Sequence, residues 1–246
     1  MNENAKIYIC THTDFDCPVH NPVYEILDAR KLFPEDKDEQ GVDALFYSEL
    51  LSYRWLSDRP EMLPDIVGFC HYRKYWAFLD DVPNLQALVE QHGCIATTLH
   101  HVKGSVYNQY ERCFNFADMD IAKAIVASRH HDLWDTFRTM LEGDSFYSCN
   151  MFLMRKQNFC DMMYVINDVL ERYLAVVGLD LEQRILHHAD IYLNKRSTKG
   201  KQIAHQYRMG GNIGERLASA WIMRYFPNPA TYDIHITEKA RAHKNL

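Results

Sequence analysis

No apolar run in these 246 residues approaches the ~20 that a membrane-spanning helix needs. The start, M-N-E-N-A-K, has neither the basic region nor the long apolar region of a signal peptide. There is no excess of positive charge: 27 Lys and Arg face 33 Asp and Glu, for a net charge of −6. That balance argues against a general nucleic-acid binder, although a local basic pocket stays open. Seven Cys are present, an odd number, and no C-x-x-C occurs. Neither a disulfide framework nor a zinc site is indicated. There is no G-K-[ST] phosphate loop and no G-x-S-x-G nucleophile elbow. Repeats, low-complexity tracts and flexible linkers are missing too. The expectation is one domain over residues 1–246, in the reducing cytoplasm.

What is present concentrates between Asp65 and Trp76, D-I-V-G-F-C-H-Y-R-K-Y-W. Ile66 to Cys70 has the length and β-branched character of a buried strand. It stops abruptly at His71, Tyr72, Arg73, Lys74 and Tyr75. The carboxyl end of a strand is where open α/β sheets bind ligands. Cationic and hydrogen-bonding side chains gathered there suit an anion such as a phosphate. The plainer alternative is a core edge, with buried stems and hydrated heads. The abrupt switch favours a site. The 15 Tyr, 12 Phe and 4 Trp weigh little, since sugar-binding clefts and large cores are both rich in aromatics.

Along the chain, Lys6–Cys10 reads as a first strand ending in the polar turn Thr11-His12-Thr13-Asp14. Val42 to Trp55 shows helical spacing, with Val42, Leu45, Phe46, Leu50 and Tyr53 on one face and Glu49 beside it. Pro83 to Gln91 predicts a short helix and Cys94 to Thr98 a short strand. Asp118 is the expected N-cap of a helix through Ile121, Ile125 and Val126. A helix over Asp132 to Leu141 ends at Gly143-Asp144, and Phe146 to Met154 reads as another strand. Phe159 to Tyr173 is amphipathic, with Phe159, Met162, Met163, Ile166, Val169 and Leu170 inward. Gly210, Gly211 and Gly214 introduce a last helix, about Ile213 to Phe226, and the tail after Pro229 is polar with a basic end. The fold class expected is α/β, with a helical C-terminal part.

Several constellations have bland readings. Asp14-x-Asp16 and Asp80-Asp81 each offer oxygen ligands for a divalent cation, but their turn contexts favour solvated acids. Gly210 to Arg216 offers free N–H groups at a helix start, with Arg208 adding charge, yet such motifs are more often a turn and cap. Glu215 there also suits the helix dipole. Asn150, read as lying within a strand, either bonds backbone or faces a ligand. His130-His131 and His187-His188 are neighbours, which on a helix do not face one another, so chelation is not expected.

Five segments together resemble one bacterial family: I-Y-I-C-T-H near the start, S-E-L-L-S-Y-R-W at 48–55, G-F-C-H-Y-R-K-Y at 68–75, S-C-N-M-F-L-M at 148–154 and R-M-G-G-N-I-G-E-R-L at 208–217. That family is a domain of unknown function with an H-Y-R-[RK]-Y signature. Its members are described as capsular- or exopolysaccharide-biosynthesis glycosyltransferases, some of them linked to galactofuranosyl transfer. The likeness runs through nearly the whole chain in order. It departs at Gln40 to Leu45, where the family has a D-N-I-S-type stretch. Ser48 replaces a Cys and Lys74 the second Arg of the signature. The order of elements also looks like the nucleotide-sugar fold called GT-A, here with His71-Tyr72-Arg73 where a D-x-D would hold a metal.

The resemblance implies a hexosyl transfer, with galactofuranose as one option, from a nucleotide diphosphate sugar to a glycan or lipid-linked glycan acceptor. Arg73, Lys74 and Arg208 are then expected on the diphosphate, and His71, Tyr72, Tyr75 and Asn150 at the donor site. Thr11 and His12 would meet the nucleotide. Glu49 and Glu215 are alternative catalytic bases. No metal or other cofactor is expected, with Mn or Mg as the alternative. The alternative to an enzyme is a non-catalytic carbohydrate- or nucleotide-binding protein on the same scaffold. A phosphohydrolase is a third reading, which no metal cluster supports. Peripheral attachment at the inner face of the membrane is an open alternative to the free cytoplasm.

Overall fold

A computed structural model of the chain describes residues 4–33, 42–178, 181, 183, 187 and 206–237. Gln40, Gly41, His188 and the basic end of the tail lie outside the described residues.

The apolar runs form a mixed sheet. Strands β1 (Ala5–Thr11), β2 (Tyr24–Asp28) and β3 (Ile66–His71) are parallel, with β1 between the other two. On β1, Ile7 and Ile9 enter one core while Tyr8 and Cys10 enter another. Both faces are covered, so the strand reads as a continuous apolar run. Beyond β3 come β8 (Phe152–Arg155), antiparallel, then β5 (Cys94–Thr97) and β9 (Ala230–Tyr232). β4 (Lys74–Trp76) folds back on β3 through a tight turn at Tyr72-Arg73, pairing Lys74 with His71. β10 (Ile234–Ile236) adds outside β4. Because β1 fills one edge of β3, β8 and β4 must share the other. β8 takes Ile66–Gly68 and β4 takes His71. A small ribbon, β6 (His100–His101) with β7 (Ser145–Phe146), stands apart.

Most helices pack on one face. They are α2 (Val42–Tyr47), α3 (Leu50–Ser57), α5 (Val106–Glu111), α6 (Phe116–Arg129), α7 (His131–Glu142), α8 (Lys156–Val177) and α9 (Met209–Tyr225). The six residues expected inward on α8 are all buried. The opposite face carries a smaller core of Ile7, Ile9, Cys70 and Leu153, covered by Tyr75, Trp76 and α4 (Leu85–His92). α1 (Ala29–Leu32) follows β2 directly. No helix among the described residues is long and apolar enough to cross a membrane.

Several local expectations are corrected. The helix over residues 42–55 is two helices, broken at Ser48, whose φ is 52°. The strand over 146–154 is two short strands, because Cys149 and Asn150 turn left-handed, with φ of 74° and 51°. Asn150 is therefore in a turn and not within a strand. α6 is capped by Asn115, whose side chain accepts from the Ala117 amide. Asp118 lies inside that helix, buried, and accepts from Tyr173 Oη at 2.8 Å. The three glycines lie within α9 instead of before it. A Cβ on Gly210 would sit 2.5 Å from Phe46, and one on Gly214 would sit 2.2 Å from Leu50. Their role is close packing of α9 against α2 and α3. Glu215 lies beyond the first turn of α9, so the helix-dipole role does not hold.

Candidate functional site

The parallel strands β1, β2 and β3 deliver Thr11-His12, Asp28 and His71 to one end of the sheet. Two groups of side chains meet there.

The outer group is cationic. Arg73, in the β3–β4 turn, lies 4.8 Å over the Tyr72 ring, and His12 meets that ring edge-on at 5.4 Å. Arg208 stands at the start of α9. Arg30, on α1, is clamped to the Asp28 carboxylate by Nε at 3.0 Å and Nη2 at 2.7 Å, and reaches Asp14 at 2.7 Å. Although the His12 ring is exposed, its pKa is lowered, first by the protein mass around it and then by Arg208, Arg73 and Arg30. Three guanidinium groups therefore act on one point. The Arg30 hydrogen bonds hold Asp28 below the usual carboxylate range. Arg73 makes no ion pair among the described residues, which leaves its fork open to an anion. Arg30 was not singled out from the sequence. Its only signal is the D-A-R junction behind an apolar strand.

Thr11 and Tyr75 do not join this group directly. The Thr11 hydroxyl is engaged locally, donating to Thr13 O at 2.7 Å and accepting from Thr13 N. It shapes the loop that carries His12. Tyr75 is fully buried in the smaller core and donates to Tyr72 O at 3.2 Å, supporting the turn from below.

The inner group is built on the Cys149–Asn150 turn. Continuing the β3–β8 register past Gly68↔Leu153 brings Asn150 level with His71. At that level the chain leaves the ladder and its polar groups turn to side chains. His71 Nε2 donates to Cys149 O at 2.6 Å, which fixes the ring tautomer because a carbonyl only accepts. Lys74 Nζ meets Cys149 Sγ at 3.0 Å. Asn150 Nδ2 donates to Glu49 Oε1 at 2.8 Å and to Gly211 O at 3.3 Å. Tyr53 Oη donates to Asn150 O at 2.8 Å. Glu215 accepts the Cys149 N–H with Oε1 and an Arg216 N–H with Oε2. Burial lowers the His71 pKa, against the pull of Glu49. Burial also works against charge on Lys74, but Cys149, Glu215 and Glu49 together outweigh it and hold its pKa high. The Cys149 thiol is pushed up by burial, with Lys74 opposing. Cys149 and Arg216 escaped the sequence reading, since nothing in a Cys or an Arg codon marks a left-handed turn or its brace.

The other constellations have structural work. Asp80 accepts the backbone N–H groups of His20 and Asn21, at 2.6 and 2.8 Å, which tie two loops together and lower its pKa. His130 pairs with Asp168 at 3.0 Å and not with His131. Among the described residues no three His, Cys, Asp or Glu side chains are placed to hold a metal ion. Chemically, the end of the sheet offers an outer rim for an anion and an inner floor with two carboxylates, an ammonium and an imidazole.

A family model described as a domain of unknown function, DUF4422, matches residues 6–225. No curated protein matches the chain. Among solved structures, the apo WbbM bifunctional glycosyltransferase is similar, with a TM-score of 0.73 at 19% identity. The match covers 96% of this chain and 46% of that one, so this chain spans less than half of that protein.

Proposed function

This chain belongs to the DUF4422 family of domains of unknown function, and from that premise we propose that it is a glycosyltransferase. It moves a hexosyl unit, with galactofuranose as one option, from a nucleotide diphosphate sugar to a surface glycan, free or lipid-linked. The observation that carries this reading is the cationic group at the carboxyl end of the parallel strands, where Arg73 and His12 both lie against the Tyr72 ring and Arg30 is held on Asp28, together with the half-buried carboxylates Glu49 and Glu215 bonded to the Cys149–Asn150 turn. The likeness of fold to a glycosyltransferase agrees with it.

In this reading the acceptor oxygen attacks the anomeric carbon while the bond from that carbon to the phosphate oxygen breaks. The leaving diphosphate gains charge, and preplaced guanidinium groups stabilise it. Lys74, whose ammonium meets Cys149 Sγ in the inner group, assists from that side. The cationic rim supplies the charge a metal would bring, so transfer proceeds without a divalent cation, Mn or Mg being the alternative. Glu49 takes the acceptor proton. Glu215 suits this less, because both of its oxygens already accept hydrogen bonds, from Cys149 and from Arg216. The acceptor, when lipid-linked, would bring the protein to the inner face of the membrane.

Calorimetry with uridine diphosphate sugars, in EDTA or Mn²⁺, followed by an assay of nucleoside diphosphate release, tests this. Binding in EDTA with release on adding acceptor is expected. Binding without release under any condition would favour a carbohydrate- or nucleotide-binding protein. No binding of any nucleotide sugar would defeat both.

A further inference from the structure

We propose that Arg216 is a positioning residue that acts through Glu215 and the Cys149–Asn150 turn to hold Glu49 where it takes the acceptor proton. The inference rests on the glycosyltransferase reading above.

Arg216 is only 1% exposed, and its guanidinium lies 4.6 Å from the centre of the Phe146 ring. Nη2 donates to Gln109 Oε1 at 2.5 Å, and Nη1 donates to Asn212 O at 3.1 Å and to Glu215 Oε2. The guanidinium is thus fixed by α5, β7 and its own helix. Glu215 passes this rigidity on, because its other oxygen accepts the Cys149 N–H. Cys149 and Asn150 are left-handed without being glycine. Asn enters that region readily, but a Cys keeps it only where its surroundings impose it. From the turn, the Cys149 carbonyl reaches His71, its sulfur reaches Lys74, and the Asn150 amide reaches Glu49.

The other end of the chain of contacts has the same character. Ser48, immediately before Glu49, is also left-handed, with φ of 52°. Three of the four left-handed non-glycine residues among those described, Ser48, Cys149 and Asn150, therefore bracket the Asn150–Glu49 bond. A buried Arg–carboxylate pair is often no more stabilising than apolar side chains of equal volume. Stability does not account for placing one here, whereas geometry at Glu49 does.

The test is a double-mutant cycle on the whole chain, read by nucleoside diphosphate release. Arg216→Met is expected to lower kcat about 100-fold, the scale of a small misplacement at a reacting group. The donor KM stays within about threefold, because the guanidinium rim is untouched. In a Glu49→Gln background the same change should cost less than about threefold more, since residues that act as one unit are not additive. Arg216→Lys keeps a cation and recovers part of kcat; if Arg216→Met does not fold, the cycle is run with this variant. Losses that multiply in the double variant, or a raised donor KM with kcat unchanged, overturn the proposal. A fully active Glu49→Gln also overturns it while leaving the transferase reading standing, whereas a wild-type chain that releases no nucleoside diphosphate defeats the underlying reading and this inference with it.

Discussion

Exchanging each acidic side chain for its amide separates the two carboxylates by opposite signatures. Glu49 accepts one hydrogen bond from Asn150 Nδ2, at 2.8 Å, and is half-buried. In Glu49→Gln the amide oxygen still accepts that bond. The fold loses only the difference between a charged and a neutral acceptor, about 1 kcal/mol. For a chain of this length that is about 2–4 °C in Tm. Loss of the proton acceptor, in contrast, lowers turnover by about 10²–10⁴, or about 2.7–5.4 kcal/mol of barrier. Glu215 has its partners the other way round. Its Oε2 is the counter-ion of Arg216, which is buried, and its own side chain is 16% exposed. Glu215→Gln leaves that guanidinium without a matching charge, at about 3–5 kcal/mol and about 6–20 °C in Tm. Any turnover loss should then follow the fraction folded and the position of the turn, not the pH of the assay. Differential scanning calorimetry and steady-state release of nucleoside diphosphate read the two channels independently. Glu49→Gln with turnover within threefold of wild type, or Glu215→Gln with an unchanged Tm, would refute the reasoning for that residue.

Arg73→Ala is expected to weaken binding of a uridine diphosphate sugar about tenfold or more, the scale of one lost charge-assisted hydrogen bond, with little change in Tm because its guanidinium makes no ion pair among the described residues; titration calorimetry and a melt decide it, and a sharp fall in Tm with unchanged affinity reverses the conclusion. Gly214→Ala should destabilise by about 1–3 kcal/mol by overpacking, since its Cβ would stand 2.2 Å from Leu50, itself buried; a denaturant midpoint at or above wild type would show that α9 can move away. The His12 and His71 pKa values are both lowered from 6.5, so the folded chain binds fewer protons than the unfolded one just below that pH. Their stabilising effect is complete above the unfolded value near 6.5 and is lost as pH falls through the lowered folded values; urea midpoints that rise on acidification from neutrality would contradict this. A bound diphosphate cancels the guanidinium field on His12, so binding below neutrality should take up protons, seen as a buffer-dependent enthalpy in calorimetry.

The sequence by itself determined the elements whose periodicity is strong. β1 and β3 are continuous apolar runs because both their faces are buried, and α8 shows its inward face because 3.6-residue spacing repeats over its length. The switch at Cys70–His71 placed a polar cluster at a strand end, and the sheet does put it at the carboxyl end of its parallel strands. The tertiary structure decided the rest. β2, β4 and β10 are short, and their pairing depends on an edge left open by another strand, which no local pattern encodes. Ser48, Cys149 and Asn150 are left-handed without the glycine that would have announced a turn, so one expected helix and one expected strand are each broken in two. Tyr75 and Tyr72, three residues apart, meet the same smaller core, but Tyr75 is fully buried in it and Tyr72 stays half-buried at its margin, because the β3–β4 turn reverses the chain between them. Glu49 and Glu215 are 166 positions apart with Cys149 between them, and their hydrogen bonds exist only once the start of α3, the turn and α9 have packed together. Contacts of that kind are made by the closure of distant segments, and local sequence carries no record of them.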